Sequence, residues 1–219
     1  SPDVSVIIPI YNEEALLRAA VIELVDALDA FGWTYEILLT ENGSTDHTVE
    51  IALGLEREIP VVRVLRTSEP NYGLALRRGI KAALGQYVLC DEIDICDTGF
   101  HERAMAILES DQCDMVIGSK LHEEALDKRP MMRHAATIGI NMLLRIFLDF
   151  KGTDTHGLKA FHRERLLSIV DECIVDKDLF ASELVIRAER RQLRILEIPV
   201  EIMEKRKPSI DLFRRVPHV

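Results

Sequence analysis

The sequence predicts an α/β fold in which a mostly parallel central sheet is flanked by helices. Short apolar runs rich in β-branched residues alternate with segments of helical periodicity through the first 95 residues. Strands that alternate with helices at this interval build βαβ units, which place their strands parallel in one sheet. No internal repeat or linker divides the 219 residues, a length that one domain accommodates.

Four strands and three helices are predicted in the first half of the chain. Residues 4–10 (VSVIIPI) are typical of a strand buried on both faces, and residues 13–30 carry apolar side chains at helical spacing. The later elements are strands at 35–40, 61–65 and 87–90 and helices at 48–55 and 74–84, the last ending at Gly85. We expect the four strands to be parallel neighbours in one sheet.

The second half of the chain is less regular. Its predicted elements are helices at 98–108, 131–150 and 179–190, strands at 115–117 and 193–203, a polar loop at 120–129 and a turn-rich segment at 151–156. We predict one domain over residues 1–219, in which residues 1–95 form a nucleotide-binding half.

Composition and charge exclude several classes of protein. The formal net charge of −10 argues against nucleic-acid binding, which recruits basic surfaces. The four cysteines form no CxxC pair, so we expect no zinc site and reduced thiols in a cytoplasmic protein. Pro9 and Glu13 interrupt the early apolar run, so no signal peptide is expected, and no apolar run is long enough to span a bilayer.

Polar residues follow three of the predicted strands. They lie at 11–14 (YNEE), 41–46 (ENGSTD) and 91–94 (DEID). In open α/β sheets, ligands bind beyond the carboxyl ends of the strands. The three clusters are therefore predicted to converge on one edge of the sheet and to form a ligand site.

The third cluster concentrates carboxylates at Asp91, Glu92 and Asp94. Neighbouring carboxylates repel each other, so we expect them to be solvated or to hold a cation. Oxygen ligands suit Mg²⁺ or Mn²⁺, which sites of this kind bind with one or two carboxylates and substrate phosphate oxygens. A solvated loop that caps the helix beginning at Thr98 explains these residues equally well.

The second cluster has the residues of a tight turn that leads into a helix. Gly43 permits the turn, and Asp46 is placed to cap the helix that follows. Glu41, at the end of the strand, is a candidate to accept hydrogen bonds from a nucleobase or ribose. A plain connection without a ligand is an equally good interpretation of this turn.

A basic segment lies between the second and third clusters. Gly73 and Gly79 are too weak a signal for a phosphate-binding loop. Arg77 and Lys81 are four residues apart on one helical face, where they could attract a pyrophosphate or form an ordinary solvated surface.

Six segments together resemble family 2 glycosyltransferases, and among these the polyprenyl- and dolichyl-phosphate sugar synthases. In chain order they are VSVIIPIYNEE, ENGSTDHT, NYGLALRRGIKAALGQYVLCDEID, DMVIGSK, DTHGLKAFHRE and LEIPVEIMEKRKPS. Each motif alone is weak, but six in this order are specific and cover nearly the whole chain. The resemblance implies a GT-A type, Rossmann-like nucleotide-diphospho-sugar transferase fold, with residues 96–219 as the acceptor half.

Three departures from the family pattern affect the site. The family's Asp-x-Asp falls on Glu92 and Asp94, with Asp91 added beside them, and its Asp-Asp-Gly-Ser begins here with Glu41 and Asn42. The lysine of the Gly-x-Ser-Lys tail is missing, and Lys205, Arg206 or Lys207 would replace it. These changes motivate an alternative, a degenerate, non-catalytic nucleotide-sugar-binding protein.

The resemblance implies an inverting transferase that takes a sugar from a UDP- or GDP-sugar with Mg²⁺ or Mn²⁺ as cofactor. Asp94 is the expected metal ligand and catalytic residue, assisted by Glu92. The candidate donor contacts, from the residues and the resemblance together, are Pro9, Tyr11, Glu13, Glu41, Asp46, Arg77, Asp91, Lys120 and Arg206.

The expected acceptor is a polyprenyl phosphate, whose oxygen is already anionic and requires no general base. A soluble hydroxyl acceptor is the alternative, and it would need a base, for which Asp154 or His156 is the candidate. A nucleotidyltransferase ranks low because residues 11–14 are acidic instead of glycine-rich and basic.

A lipid acceptor predicts peripheral contact with the inner face of the membrane. The apolar segment 131–150 is either a core helix or an interfacial helix whose cations approach anionic lipid. The cations expected to meet an anionic head group are Arg129, Arg133, Arg145, Lys205 and Arg206.

Overall fold

The computed structural model describes residues 1–119, 126–127, 155 and 157–202, and within these ranges it contains a seven-stranded sheet. The strands are β1 (Val4–Ile10), β2 (Tyr35–Asn42), β3 (Val62–Thr67), β4 (Tyr87–Cys90), β5 (Met115–Ser119), β7 (Lys159–His162) and β8 (Ile195–Pro199). Their order in the sheet is β3-β2-β1-β4-β7-β5-β8. Two short strands, β6 (Leu126–Asp127) and β9 (Glu201–Ile202), pair in parallel as a separate ladder.

The first four strands are parallel neighbours, which confirms the prediction for this half. β1 lies between β2 and β4, with Ile10 in register with Glu41 and Ile7 in register with Cys90. β4 therefore ends beside Ile7, and the residues that follow it run alongside the last part of β1. The parallel arrangement brings the carboxyl ends of β2, β1 and β4 to one edge.

Helices cover both faces of this sheet. They are α1 (Leu17–Phe31), α2 (Thr48–Glu58), α3 (Tyr72–Ala82), α4 (Thr98–Glu109), α5 (Arg163–Glu172) and α6 (Phe180–Arg190). Side chains of α1, α2 and α4 share one buried cluster with the sheet, and those of α3, α5 and α6 share the other. Burial of apolar side chains on both faces explains why the first strands are continuously hydrophobic.

The second half departs from its predicted elements. β7 and α5 are absent from the prediction, and β7 runs antiparallel between β4 and β5. The segment 120–129 was predicted as a loop, but it contains the short strand β6. The single strand predicted at 193–203 is divided into two strands, β8 and β9. The predicted helix at 131–150 lies outside the described residues, and no described helix has the length and apolarity to cross a membrane.

Gly73, Gly79 and Gly85 allow neighbouring segments of the chain to pack closely. α3 ends at Ala82, so the predicted stop at Gly85 is wrong. A Cβ at Gly85 would lie 2.6 Å from the Ser5 nitrogen, and one at Gly73 would lie 2.3 Å from the Lys177 carbonyl oxygen. A Cβ at Gly79 would lie 2.4 Å from Ile7 Cγ2, so this glycine lets α3 rest directly on β1.

We therefore expect Gly79→Ala to destabilise the fold by about 1 to 3 kcal/mol, the usual cost of overpacking a core. Urea unfolding followed by circular dichroism measures the change. Gly54→Ala on α2 is the matched control, since its Cβ would meet only Glu58 Oε1 at 4.0 Å and alanine favours helix by about 1 kcal/mol. Equal stability of the two variants would contradict close packing at Gly79.

Candidate active site

Hydrogen bonds join the loop after β1 to the loop after β2. The Asn12 amide donates to Ser44 Oγ at 3.0 Å, and the Thr45 amide donates back to Asn12 Oδ1 at 2.9 Å. The Glu13 amide donates to Thr48 Oγ1 at 2.6 Å. Asn12 takes a positive φ of 54°, a conformation that asparagine tolerates better than most residues. The first two polar clusters therefore form one connected structure, as the sequence predicts.

Asp46 strengthens this connection. Its Oδ1 accepts from the Thr48 amide at 2.9 Å, at the start of α2, and its Oδ2 accepts from the Glu14 amide at 3.2 Å. Burial alone would raise the pKa of Asp46, but the hydrogen bonds from Thr48 and Glu14 outweigh it and lower the pKa. The N-cap residue of α2 is His47, so the prediction that Asp46 occupies the cap position is wrong. Asp46 still accepts from the first helical amide, and both of its carboxylate oxygens are bonded within the protein.

Glu41 is buried at the end of β2, with a side chain only 1% exposed. Its Oε1 accepts from the Ser44 amide at 2.5 Å, and its Oε2 lies 3.9 Å from Arg66 Nε. The neighbouring Asn42 Oδ1 accepts from the Asn71 amide at 2.6 Å, which ties the turn to the start of α3. Glu41 is thus a fixed carboxylate in a turn that is bonded to the loop after β1 and to the start of α3.

The other predicted donor contacts of the first cluster lie at the same edge. Pro9 is in register with Thr40 near the end of β1, and Tyr11, 41% exposed, follows the strand. Glu13 is buried at the start of the turn that leads into α1. Tyr11 is exposed to solvent and directly follows Ile10, which is in register with the buried Glu41.

Asp91 is placed differently from its prediction. Its amide donates to the Ile7 carbonyl oxygen at 3.0 Å, and its Oδ1 accepts from the Glu92 amide at 2.6 Å. Its Oδ2 lies 2.7 Å from His101 Nε2, and both side chains are almost fully buried. Asp91 is therefore buried and paired within the protein instead of solvated. Its assignment as a donor contact stays a prediction.

His101 on α4 is the residue that sequence reasoning missed. It lies among the buried side chains Phe100, Ala104 and Met105, where it looks like part of an ordinary helix face. A buried carboxylate is tolerated when it is paired, and His101 provides the partner from ten residues along the chain. Asp91 directly precedes the acidic segment 92–94, so its pairing with His101 fixes the start of that segment.

Glu92 and Asp94 are partly exposed, while Ile93 between them is 3% exposed and packs into the core. Asp97 caps α4 by accepting from the Phe100 amide at 2.9 Å. The described residues contain no cluster of three or more His, Cys, Asp or Glu side chains placed to hold a metal. The oxygen donors here suit Mg²⁺ or Mn²⁺ held by one or two carboxylates and ligand phosphates.

Arg77 is not brought to this site. Its guanidinium donates to the Cys173 carbonyl oxygen, lies 3.5 Å from Asp176 and stacks 5.2 Å from the centre of the Phe180 ring. Lys81, on the same face, pairs with Asp171 at 2.6 Å. These contacts bind α3 to the α5–α6 region and give no support to the predicted pyrophosphate contact.

Four predicted residues lie outside the described part of the chain. They are the donor contacts Lys120 and Arg206 and the candidate bases Asp154 and His156. The cations predicted for membrane contact at 129, 133, 145, 205 and 206 lie outside it as well.

Residues 5–168 match the family described as glycosyl transferase family 2, and the chain belongs to that family. It is 29% identical over 219 residues to glycosyltransferase AglD of Haloferax volcanii, covering 98% of this chain and 35% of that protein. It is 31% identical over 221 residues to a dolichyl-phosphate beta-glucosyltransferase of Drosophila melanogaster, covering 93% and 68%. The chain thus spans about a third of the archaeal relative's length and two thirds of the insect relative's.

A solved structure of similar fold is glucosyl-3-phosphoglycerate synthase from Mycobacterium tuberculosis, in complex with Mn²⁺, uridine diphosphate and glucosyl-3-phosphoglycerate. The TM-score is 0.71 at 19% identity, over 95% of this chain and 74% of that chain. This likeness confirms the GT-A type fold.

We expect His101→Ala to destabilise the protein by about 3 kcal/mol or more, because it leaves the buried Asp91 carboxylate without its partner. A double-mutant cycle with Asp91→Ala, read by urea unfolding, measures the coupling between the two side chains. The double variant should lose clearly less than the sum of the single losses. Strictly additive losses would show that the pair does not interact.

Proposed function

We propose that this chain is an inverting glycosyltransferase that moves a sugar from a UDP- or GDP-sugar to a polyprenyl phosphate. The observation that carries the proposal is the meeting of three loops at the carboxyl edge of β2, β1 and β4. Membership of family 2 supports the reaction type, and the dolichyl-phosphate enzyme among the relatives supports a lipid-phosphate acceptor.

The nucleoside of the donor would bind over the ends of β1 and β2. Tyr11 offers an exposed ring for stacking, and the buried Glu41 carboxylate offers an acceptor for base or ribose donors. Pro9 and Glu13 shape the same edge. Asp46 supports this site through the backbone, because both its oxygens are bonded to amides of the two loops.

The donor diphosphate would lie against the acidic segment after β4. Two partly exposed carboxylates beside a diphosphate would repel it, so binding there requires a cation between them. Asp94 is the proposed ligand of Mg²⁺ or Mn²⁺, assisted by Glu92, and the metal would neutralise the charge of the leaving diphosphate. Lys120 and Arg206 remain proposed phosphate contacts.

The proposed reaction is a direct displacement at the anomeric carbon. An oxygen of the acceptor phosphate forms the new bond as the bond to the nucleoside diphosphate breaks, so the configuration inverts. The attacking oxygen carries no proton that must be removed. Only the alternative, a soluble hydroxyl acceptor, would give Asp154 or His156 the role of general base.

A lipid-borne acceptor would place the protein in the cytoplasm and at the inner face of the membrane. That peripheral location is part of the proposal, and it requires a surface of the protein that meets lipid.

We expect Asp94→Asn to lower kcat about a hundredfold or more, as the loss of one group that stabilises transition-state charge usually does. Binding of uridine or guanosine diphosphate, measured by calorimetry, should lose its dependence on Mn²⁺. Glu102→Gln on α4 is the control, because it removes a nearby exposed carboxylate and should change neither quantity. Unchanged metal-dependent binding in Asp94→Asn would refute the metal assignment.

Transfer from labelled UDP- and GDP-sugars to a short-chain polyprenyl phosphate tests the acceptor. We expect label to pass into the lipid product in the presence of Mg²⁺ or Mn²⁺. Label in a soluble glycan or peptide instead would support the hydroxyl acceptor. Binding of the donor without hydrolysis or transfer would support the non-catalytic alternative.

A further inference from the structure

The segment between β4 and α4, which carries the proposed metal ligands, begins with a tight turn. The amides of Ile95 and Cys96 both donate to the Glu92 carbonyl oxygen, at 2.9 and 3.1 Å. The side chains of residues 92–94 leave the backbone from within this turn. The positions of the two partly exposed carboxylates therefore depend on how the turn is held against the rest of the protein.

Asp91 and His101 hold the first residue of this turn. Asp91 Oδ1 accepts from the Glu92 amide at 2.6 Å, and Asp91 Oδ2 lies 2.7 Å from His101 Nε2. His101 is in the first turn of α4, and its own amide donates to the Asp97 carbonyl oxygen at 3.2 Å. His101 thus joins the end of β4 to the start of α4, across the segment that carries the proposed ligands.

The contact between Asp91 and His101 is a poor source of stability. Asp91 is 2% exposed and His101 1%, so both polar side chains lose their hydration. Among the described residues, His101 Nδ1 has no hydrogen-bond partner, and Nε2 and Oδ2 are close but poorly aligned for a hydrogen bond. Polar groups that are buried and incompletely bonded cost stability, and apolar residues of similar volume often serve as well or better.

The surroundings of His101 favour an apolar residue at this place in α4. Phe100, Ala104 and Met105 are buried beside it and belong to the core cluster on this face of the sheet. A leucine would continue their pattern. Residues that break the local pattern of a buried face are expected at functional sites, where another requirement outweighs stability. The requirement that fits His101 is the position of the turn that follows Asp91.

We propose that His101 is a positioning residue for the metal-binding segment. By holding Asp91, it fixes the Glu92 amide and hence the direction in which the carboxylates of Glu92 and Asp94 point. His101 touches neither donor nor metal and acts only through Asp91. The inference rests on the proposed function, which gives these two carboxylates a metal to bind. Groups that orient metal ligands commonly change metal affinity or activity about 10- to 100-fold when they are replaced.

An apolar double variant, Asp91→Val with His101→Leu, separates position from stability. Valine suits the end of a strand and leucine suits a helix, so the midpoint of thermal unfolding should stay the same or rise. Hydrogen exchange of the Glu92, Ile95 and Cys96 amides, followed by nuclear magnetic resonance in the metal-free chain, should nevertheless become about fivefold faster or more. The reason is that the Glu92 amide loses its acceptor and the turn opens more readily.

The same double variant should weaken the Mn²⁺-dependent binding of uridine or guanosine diphosphate about tenfold or more in calorimetry, and lower kcat by a similar factor. KM for the acceptor should not change. His101→Gln should keep most of the affinity, because its amide nitrogen reaches Asp91 from about the place of Nε2. Leu166→Ala, fully buried on α5 at the other face of the sheet, is the control, since it should lower the unfolding midpoint and leave binding unchanged.

The proposal is overturned if the double variant keeps the exchange rates and the Mn²⁺-dependent affinity of the original chain, or if Leu166→Ala weakens binding equally. A double variant that fails to fold would also contradict it, because the contact would then serve stability. An equal loss in His101→Gln would count against a positioning role. Failure of the proposed function is seen separately, as an original chain without Mn²⁺-dependent binding or transfer, and exchange in the metal-free chain still decides whether His101 orders the turn.

Discussion

The parallel pairing of β1 with both β2 and β4 is the constraint on which the rest of the structure depends. Because Ile10 is in register with Glu41 and Ile7 with Cys90, three loops with different chemistry leave the sheet side by side. The hydrogen bonds between Asn12, Ser44 and Thr45 then hold two of these loops together. The buried contact between Asp91 and His101 fixes the start of the third loop. The sheet brings the groups together, and buried polar contacts set their positions.

The first half of the fold was predictable because its strands are rich in apolar, mostly β-branched or leucine residues and alternate with segments of helical spacing. β7 escaped prediction because it has only four residues, with Lys159 and His162 at its ends, and because antiparallel insertion between β4 and β5 leaves no periodic signal. The helix end predicted at Gly85 was wrong because this glycine has a different role. A glycine after a helical segment suggests a helix end, but here the absent side chain makes room for β1.

The location of the site could be predicted from the sequence, but the roles of its individual residues could be predicted less well. The convergence of Tyr11, Glu41 and Glu92 followed from strand order alone. Asp91 and Arg77 look like ligand-binding residues in sequence, but both form protein contacts. The partner of Asp91 is His101, ten residues along the chain, and the partners of Arg77 follow α5, about a hundred residues along it. Contacts between side chains in the folded protein decide which charged residues can meet a ligand, and these contacts cannot be predicted from a local sequence pattern.

The carboxyl edge of β2, β1 and β4 is the proposed site for both donor and metal. Its most direct test is nuclear magnetic resonance of the isotope-labelled chain with uridine or guanosine diphosphate, comparing Mn²⁺ with the diamagnetic Mg²⁺. The account predicts that Mn²⁺ broadens the amide signals of residues 92–94 most strongly, and those of Ser44 and Thr45 next. Broadening centred elsewhere, or broadening that is the same with and without the nucleotide, would contradict it.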